Sequence, residues 1–173
     1  ELMLAEVSKD GEHCRARAKT AGVIAEAAGT NGMIGGQVID LESEGREISY
    51  ETLCIMHGKK TGALIKAAVL APLELLEAPE KYRGPLETYA DKIGLAFQIK
   101  DDILDYEGDS SIVGKSLGKD EKNHKPTFVT LLGIQRAKEL LKMTVEQAAE
   151  ALVNIENADF LIKTARWIAK REK

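Results

Sequence analysis

Phe97-Gln98-Ile99-Lys100-Asp101-Asp102-Ile103-Leu104-Asp105 is the stretch on which the fold and the chemistry turn. Read as a helix, it places Asp101 and Asp105 one turn apart on a common face. Leu86, Ala90, Ile93, Phe97, Ile99 and Leu104 carry the helical spacing through the segment up to Gly108. Like charges one turn apart weaken a helix by about 0.2–0.5 kcal/mol, so three acids around apolar Ile103 and Leu104 call for a cation at a concave site. Oxygen ligands select Mg²⁺, which takes one or two protein carboxylates and fills its shell with water and phosphate oxygens. A bare Asp-Asp-x-x-Asp, such as Asp101, Asp102 and Asp105, is more often a solvated helix face. Here the context differs: Phe97 and Gln98 lie one turn earlier, and Lys115 follows within Gly114-Lys115-Ser116-Leu117-Gly118-Lys119-Asp120. Carboxylates beside glycine-flanked lysines suit a magnesium diphosphate, with ammonium charge on the oxygens that the metal leaves free.

Outward from this segment the chain reads as helix throughout. From Cys14 to about Leu41, Val23, Ile24, Ala27, Ala28, Ile34, Val38 and Leu41 recur at three- and four-residue steps, which predicts one core-facing helix. Ser49, three residues before Thr52, is a cap for the next run. Residues 50–76 repeat the period through Leu53, Met56, Leu64, Ala67, Ala68, Ala71 and Leu75, interrupted at His57-Gly58-Lys59-Lys60-Thr61-Gly62, where the two glycines predict a kink. Pro79 and Gly84-Pro85 mark a loop ahead of the aspartate helix. A polar connection is expected from Gly108 to Lys125, then a helix with Pro126 in its first turn running through Leu131, Leu132, Leu140, Leu141, Val145, Ala148 and Leu152. A last helix covers about Asp159 to Lys170. No period-two strand and no tandem repeat interrupts the pattern, so the class is all-α.

A chain of 173 residues with 44% apolar and 30% charged residues suits one domain, or a large piece of one, folded around a core. Its net charge of −4 gives no basic excess that would make nucleic acid or an anionic membrane the main partner. Cys14 and Cys54 lack the spacing of a zinc site or a disulfide framework, which favours a reducing, cytoplasmic setting. No apolar run reaches the roughly 18 residues that a membrane span requires, so stable membrane insertion is not expected. The sequence opens at Glu1 already inside a helical pattern, Leu2, Leu4, Ala5 and Val7, which suggests a start further upstream.

The glycines around Lys59-Lys60-Thr61 would expose the Lys60 ammonium and the Thr61 hydroxyl to a cavity, although adjacent lysines are more often surface charges. The spacing is not that of a nucleotide-binding P-loop. His57 reads as a packed or partly exposed histidine rather than a base.

Taken in order, Gly35-Gly36-Gln37 with Asp40-Leu41, Lys60-Thr61-Gly62, Gly94-Leu95-Ala96-Phe97-Gln98, Asp101-Asp102-Ile103-Leu104-Asp105, Gly108-Asp109 and Gly114-Lys115 resemble the successive motifs of the bacterial farnesyl and geranylgeranyl diphosphate synthases. These are trans-isoprenyl diphosphate synthases, and the resemblance runs from about Thr20 to the C-terminus. It implies an isoprenoid synthase-like helical bundle, incomplete at the N-terminus, with residues 1–173 forming the C-terminal part of a single domain. It also implies that Asp101 binds Mg²⁺ held by an allylic diphosphate, with Asp102 and Asp105 completing the metal site. Lys60, Lys115 and Lys125 would bind the leaving diphosphate. Thr61 and Gln98 would stand near the allylic carbon, Phe97 would line the same region, and Gln37 would face the cavity. The reaction implied is ionisation of the allylic diphosphate, attack by isopentenyl diphosphate on the cation, and proton loss to the released diphosphate, with farnesyl diphosphate the expected product.

The family's first aspartate-rich motif, with its following arginines, has no counterpart before Cys14. The expectation is therefore a portion of a longer enzyme, inactive alone. A regulatory subunit would explain the missing motif but not the intact Asp101, Asp102, Asp105, Lys60 and Lys115. A terpene cyclase would share the helices and the metal cluster but not the Lys-Thr-Gly and Phe-Gln motifs. The family also implies a homodimer. Arg171-Glu172-Lys173 resembles a basic tail that covers the site, or else is a solvated helix end.

Overall fold

The computed structural model describes residues 2–7, 11, 13–113 and 126–172. In chain order the helices are α1 (Leu2–Val7), α2 (Cys14–Ala28), α3 (Met33–Ser43), α4 (Tyr50–His57), α5 (Ala63–Leu75), α6 (Arg83–Val113), α7 (Phe128–Leu132), α8 (Ile134–Glu150) and α9 (Asp159–Lys170). A π-helical turn, Gly58–Gly62, joins α4 to α5, and a 3₁₀ turn, Glu80–Tyr82, precedes α6. No strand occurs among the described residues.

The centre is α6, which packs against α5, α8 and α9. Its buried stripe of Tyr89, Ile93, Ala96, Ile99 and Ile103 follows the helical period. Each fully buried aliphatic side chain contributes about 1.5–3 kcal/mol. Facing it, α8 buries Ala137, Leu141, Val145 and Ala148, and α9 buries Ala165 and Ile168. The Tyr89 hydroxyl donates to the Leu161 carbonyl at 2.9 Å and ties α6 to α9. Burial pushes that phenol's pKa up to about 12, so it remains a donor at neutral pH.

Several expected boundaries moved. The single helix expected over 14–41 is two, because the helix is interrupted between Gly29 and Gly32. A Cβ on Gly32 would lie 2.0 Å from the Ala27 carbonyl oxygen, so the interruption depends on glycine. The expected kink at residues 57–62 is a π-turn rather than a simple bend. Gly84-Pro85 lies in the first turn of α6, not in a loop, since a proline there forfeits no intrahelical hydrogen bond. Gly108 is inside α6, which continues to Val113, so the connection expected from that glycine starts later.

The helix expected from Pro126 to Leu152 is divided at Gly133, whose φ of 79° no helix accommodates. Pro126 stands ahead of α7 rather than in its first turn. Thr127 is the cap instead: its side chain accepts from the Thr130 N–H, and Thr130 Oγ1 accepts from the Thr127 N–H. The Ser49 cap is present, its hydroxyl accepting from the Thr52 N–H at 3.0 Å.

Candidate active site

Two close approaches of backbone hold the π-turn. On one side Gly36 of α3 meets it so tightly that a Cβ would fall 2.1 Å from the Lys60 backbone nitrogen. On the other side Gly94 of α6 meets Gly62, where a Cβ would fall 2.9 Å from the Gly62 Cα. The glycines are therefore packing devices, and together they fix where Lys60 and Thr61 sit.

Lys60 Nζ donates to Asp40 Oδ2 at 2.6 Å. Asp40 is 5% exposed and comes from α3, one turn after Gly36. In the sequence Asp40 stands only as part of a motif, and its i+4 spacing from the packing Gly36 is the signal that it reaches the same turn. Lys60 and Thr61 are half-buried, and Gln37 is exposed on α3.

The Gly94 contact sets the direction of everything downstream. Gln98, Asp101 and Asp105 follow Gly94 at i+4, i+7 and i+11, so all four occupy one narrow stripe of α6. The stripe that touches the π-turn thus continues, about 10 Å along the axis, as the acidic cluster. Asp101 is part-exposed and Asp105 exposed. His57 is packed, stacking on the Phe128 ring at 5.4 Å between centroids.

Asp102 behaves differently from its neighbours. It is 7% exposed, and its Oδ2 accepts from the Phe128 backbone N–H at 2.8 Å, at the first turn of α7. That N–H is one of the helix-start donors with no partner inside its own helix, and a carboxylate at a helix N-terminus is well placed electrostatically. Asp102 therefore anchors α7 to α6, while Asp101 and Asp105 face outward. No local sequence signal could have separated the three, because the α7 contact spans 26 residues.

The C-terminal tail returns to the stripe. Beyond the end of α9, the Arg171 guanidinium pairs with Asp101 Oδ1, reaches the Phe97 carbonyl at 3.4 Å, and lies 4.2 Å from the Phe97 ring centroid. Its side chain is 11% exposed. Burial pulls its pKa below the ordinary value, but a guanidinium starts so high that it stays charged. Lys115 and Lys125, the remaining expected diphosphate ligands, lie outside the described residues.

Among the described residues no group of three or more His, Cys, Asp or Glu is arranged to hold a metal ion by itself. An open pair of carboxylates is nevertheless what Mg²⁺ uses when a substrate supplies further oxygens. The Arg171 guanidinium already pairs with Asp101, so this carboxylate accepts positive charge. The chemistry of Asp101 and Asp105 thus fits the ion.

The all-helical bundle has the isoprenoid synthase type of fold. The polyprenyl synthetase family model matches residues 3–159, and the chain belongs to that family. It is 36% identical over 173 residues to the farnesyl diphosphate synthase of Bacillus subtilis, covering 99% of this chain and 58% of that protein. A crystal structure of an FPP/GFPP synthase from Zymomonas mobilis superposes with a TM-score of 0.82 at 32% identity, over 96% of this chain and 56% of that one. The geranyltransferase of Helicobacter pylori, solved as a complex with magnesium and isoprenyl diphosphate, gives 0.72 at 25% identity, over 95% and 54%. The chain therefore spans little more than half the length of these relatives.

Proposed function

We propose that this chain supplies the second-aspartate wall of a magnesium-dependent trans-prenyltransferase, which condenses an allylic diphosphate with isopentenyl diphosphate to a short-chain isoprenyl diphosphate, farnesyl diphosphate in the first instance. The observation that carries the reading is the stripe Gly94, Gln98, Asp101 and Asp105, which begins against the Lys60-Thr61 turn. Asp101 and Asp105 hold Mg²⁺, with Asp102 fixing the helix beneath them. When bound, the ion neutralises charge on the diphosphate as its bond to carbon breaks.

Lys60 binds the same leaving group and is joined by Lys115 and Lys125. Thr61 and Gln98 turn oxygen dipoles toward the developing cation, and Phe97 shields it from water. Gln37 reaches the cavity from α3. The released diphosphate takes the proton, so no side-chain base is required. The H. pylori relative with magnesium and an isoprenyl diphosphate supports this assignment of ligands. A homodimer in the cytoplasm belongs to the same reading; no described helix is long and apolar enough to cross a membrane. With only one of two metal walls, the 173 residues alone are inactive, and turnover by a purified chain of that mass would refute this.

The decisive test contrasts Asp101 with Asp102. By calorimetry at saturating Mg²⁺, Asp101→Ala loses diphosphate affinity while its stability changes by about 1 kcal/mol or less. Asp102→Ala loses about 1–3 kcal/mol of stability, because the Phe128 N–H is stranded. Equal diphosphate affinity in wild type and Asp101→Ala overturns the role given to Asp101.

A further inference from the structure

Trp167 is the chain's single tryptophan, yet it is 62% exposed, and Phe160 on the same helix is 76% exposed. Seven residues apart, they differ by about 20° around the axis of α9 and form one outward stripe. The opposite side of α9 carries the buried Ala165 and Ile168, so this helix packs inward through small and aliphatic residues and turns its two largest rings outward. Lys163, Arg166 and Lys170 flank the rings, all exposed, with Asp159 the only acid on the helix.

The basic character continues beyond α9. The groove between α6, α8 and α9, about 540 Å³ in volume, has Lys100, Lys138, Lys142, Arg166 and Lys170 along its rim against Glu107 and Glu146. Glu107 is held by Lys138 at 2.7 Å, and that pair lowers its pKa. Arg166 stands 4.0 Å from Glu146. The groove's five basic residues outnumber its two acids, and Lys163 on α9 adds to them. The chain-wide charge of −4 hides a local excess of the opposite sign.

We propose that the α9 flank is a docking surface for an anionic lipid bilayer, with Phe160 and Trp167 entering the interface and Lys163, Arg166 and Lys170 meeting the headgroups. Exposed aromatic rings on one face of an amphipathic helix, with lysine and arginine beside them, are the elements of interfacial binding. Charge complementarity selects anionic over neutral lipid. A helix of 12 residues cannot span the bilayer, so the contact is peripheral. Nucleic acid is the poorer fit, because two rings on a convex helix offer no groove to follow a strand.

The test uses the full chain with vesicles of phosphatidylcholine alone and with about one third phosphatidylglycerol. Trp167 is itself the reporter, and Trp167→Phe establishes that the signal comes from it. Expected is co-sedimentation with the anionic vesicles, a blue shift of Trp167 emission and quenching by brominated acyl chains. Phe160→Ser and the double variant Lys163→Glu/Lys170→Glu each weaken binding about tenfold or more, with helix content unchanged. Binding that ignores these substitutions, or that is equal on neutral vesicles, overturns the proposal. It is equally overturned if Trp167 is blue-emitting and shielded from acrylamide before vesicles are added, since another segment or a second copy then covers the face. Quenching by a single-stranded oligonucleotide without vesicle binding rejects it in favour of nucleic acid.

Discussion

Lys60, on the π-turn, and Asp101, on α6, are each met by one counter-charge from the chain itself. The Lys60 partner, Asp40, is buried within α3, and the backbone around the pair is clamped by glycine contacts on both sides. The Asp101 partner, Arg171, comes from beyond the last helix and is held by one charge pair, one long hydrogen bond and a ring. The first pair belongs to the architecture. The second is attached by a side chain at the end of a tail, so it can leave without moving a helix. A lysine that must keep one position through a reaction and a carboxylate that must exchange its cation call for these two constructions.

The contrast is broken most severely at Gly36. Alanine there favours the helical state of α3 by about 1 kcal/mol through propensity alone. Its Cβ, however, would lie 2.1 Å from one backbone nitrogen and 2.8 Å from the Lys59 carbonyl carbon, neither of which can rotate away. Overpacking against backbone outweighs propensity, and Gly36→Ala is expected to lose about 3 kcal/mol or more in urea denaturation. A loss below 1 kcal/mol means that α3 lifts off the π-turn freely and that Lys60 is not clamped.

Next comes Asp40. Removing one member of a fully buried pair costs about 3–5 kcal/mol. The Lys60 side chain is 30% exposed and its ammonium can reach water, so Asp40→Ala is expected to cost about 2 kcal/mol. Asp40→Asn, which keeps an acceptor at the same place, should recover part of that in the same assay. Equal losses for Ala and Asn would assign the effect to packing rather than to the pair.

The stability of these contacts bears on how much the sequence could reveal. The buried stripes of α6, α8 and α9 were legible because each residue's face follows from its own helix's period. The motif order exposed the family for the same reason, since it survives without any knowledge of packing. What was not legible depended on two segments meeting. The helix breaks between Gly29 and Gly32, where a Cβ on Gly32 would strike the Ala27 carbonyl, and again at Gly133, whose φ is 79°. Asp102 looked like its neighbour Asp101 until Phe128 arrived from 26 residues away. Arg171 was balanced between a covering tail and a solvated helix end. The Phe97 ring, 74 residues back in the chain from it, decides for contact in this structure.

The smallest effect is expected at Arg171, and it sharpens the comparison most. A charge-assisted pair contributes about 1.5–3 kcal/mol when its geometry is enforced. Here the tail regains conformational freedom on release, so Arg171→Ala should cost about 1 kcal/mol. Raising ionic strength from 0.1 to 1 M shortens the Debye length from about 10 to about 3 Å and removes most surface electrostatics. Because the side chain is only 11% exposed, the cost should persist at 1 M salt, and its disappearance would mark the pair as a surface contact. Magnesium then separates the two constructions. If the ion and Arg171 compete for Asp101, Mg²⁺ with diphosphate raises the melting temperature more in Arg171→Ala than in wild type, because no pair has to open first. No such difference is expected between wild type and Asp40→Asn, whose pair joins α3 to the π-turn and does not involve Asp101. Equal shifts in Arg171→Ala and wild type would mean that Arg171 stays in place when the metal binds, and the distinction between a fixed pair and a displaceable one would then fail.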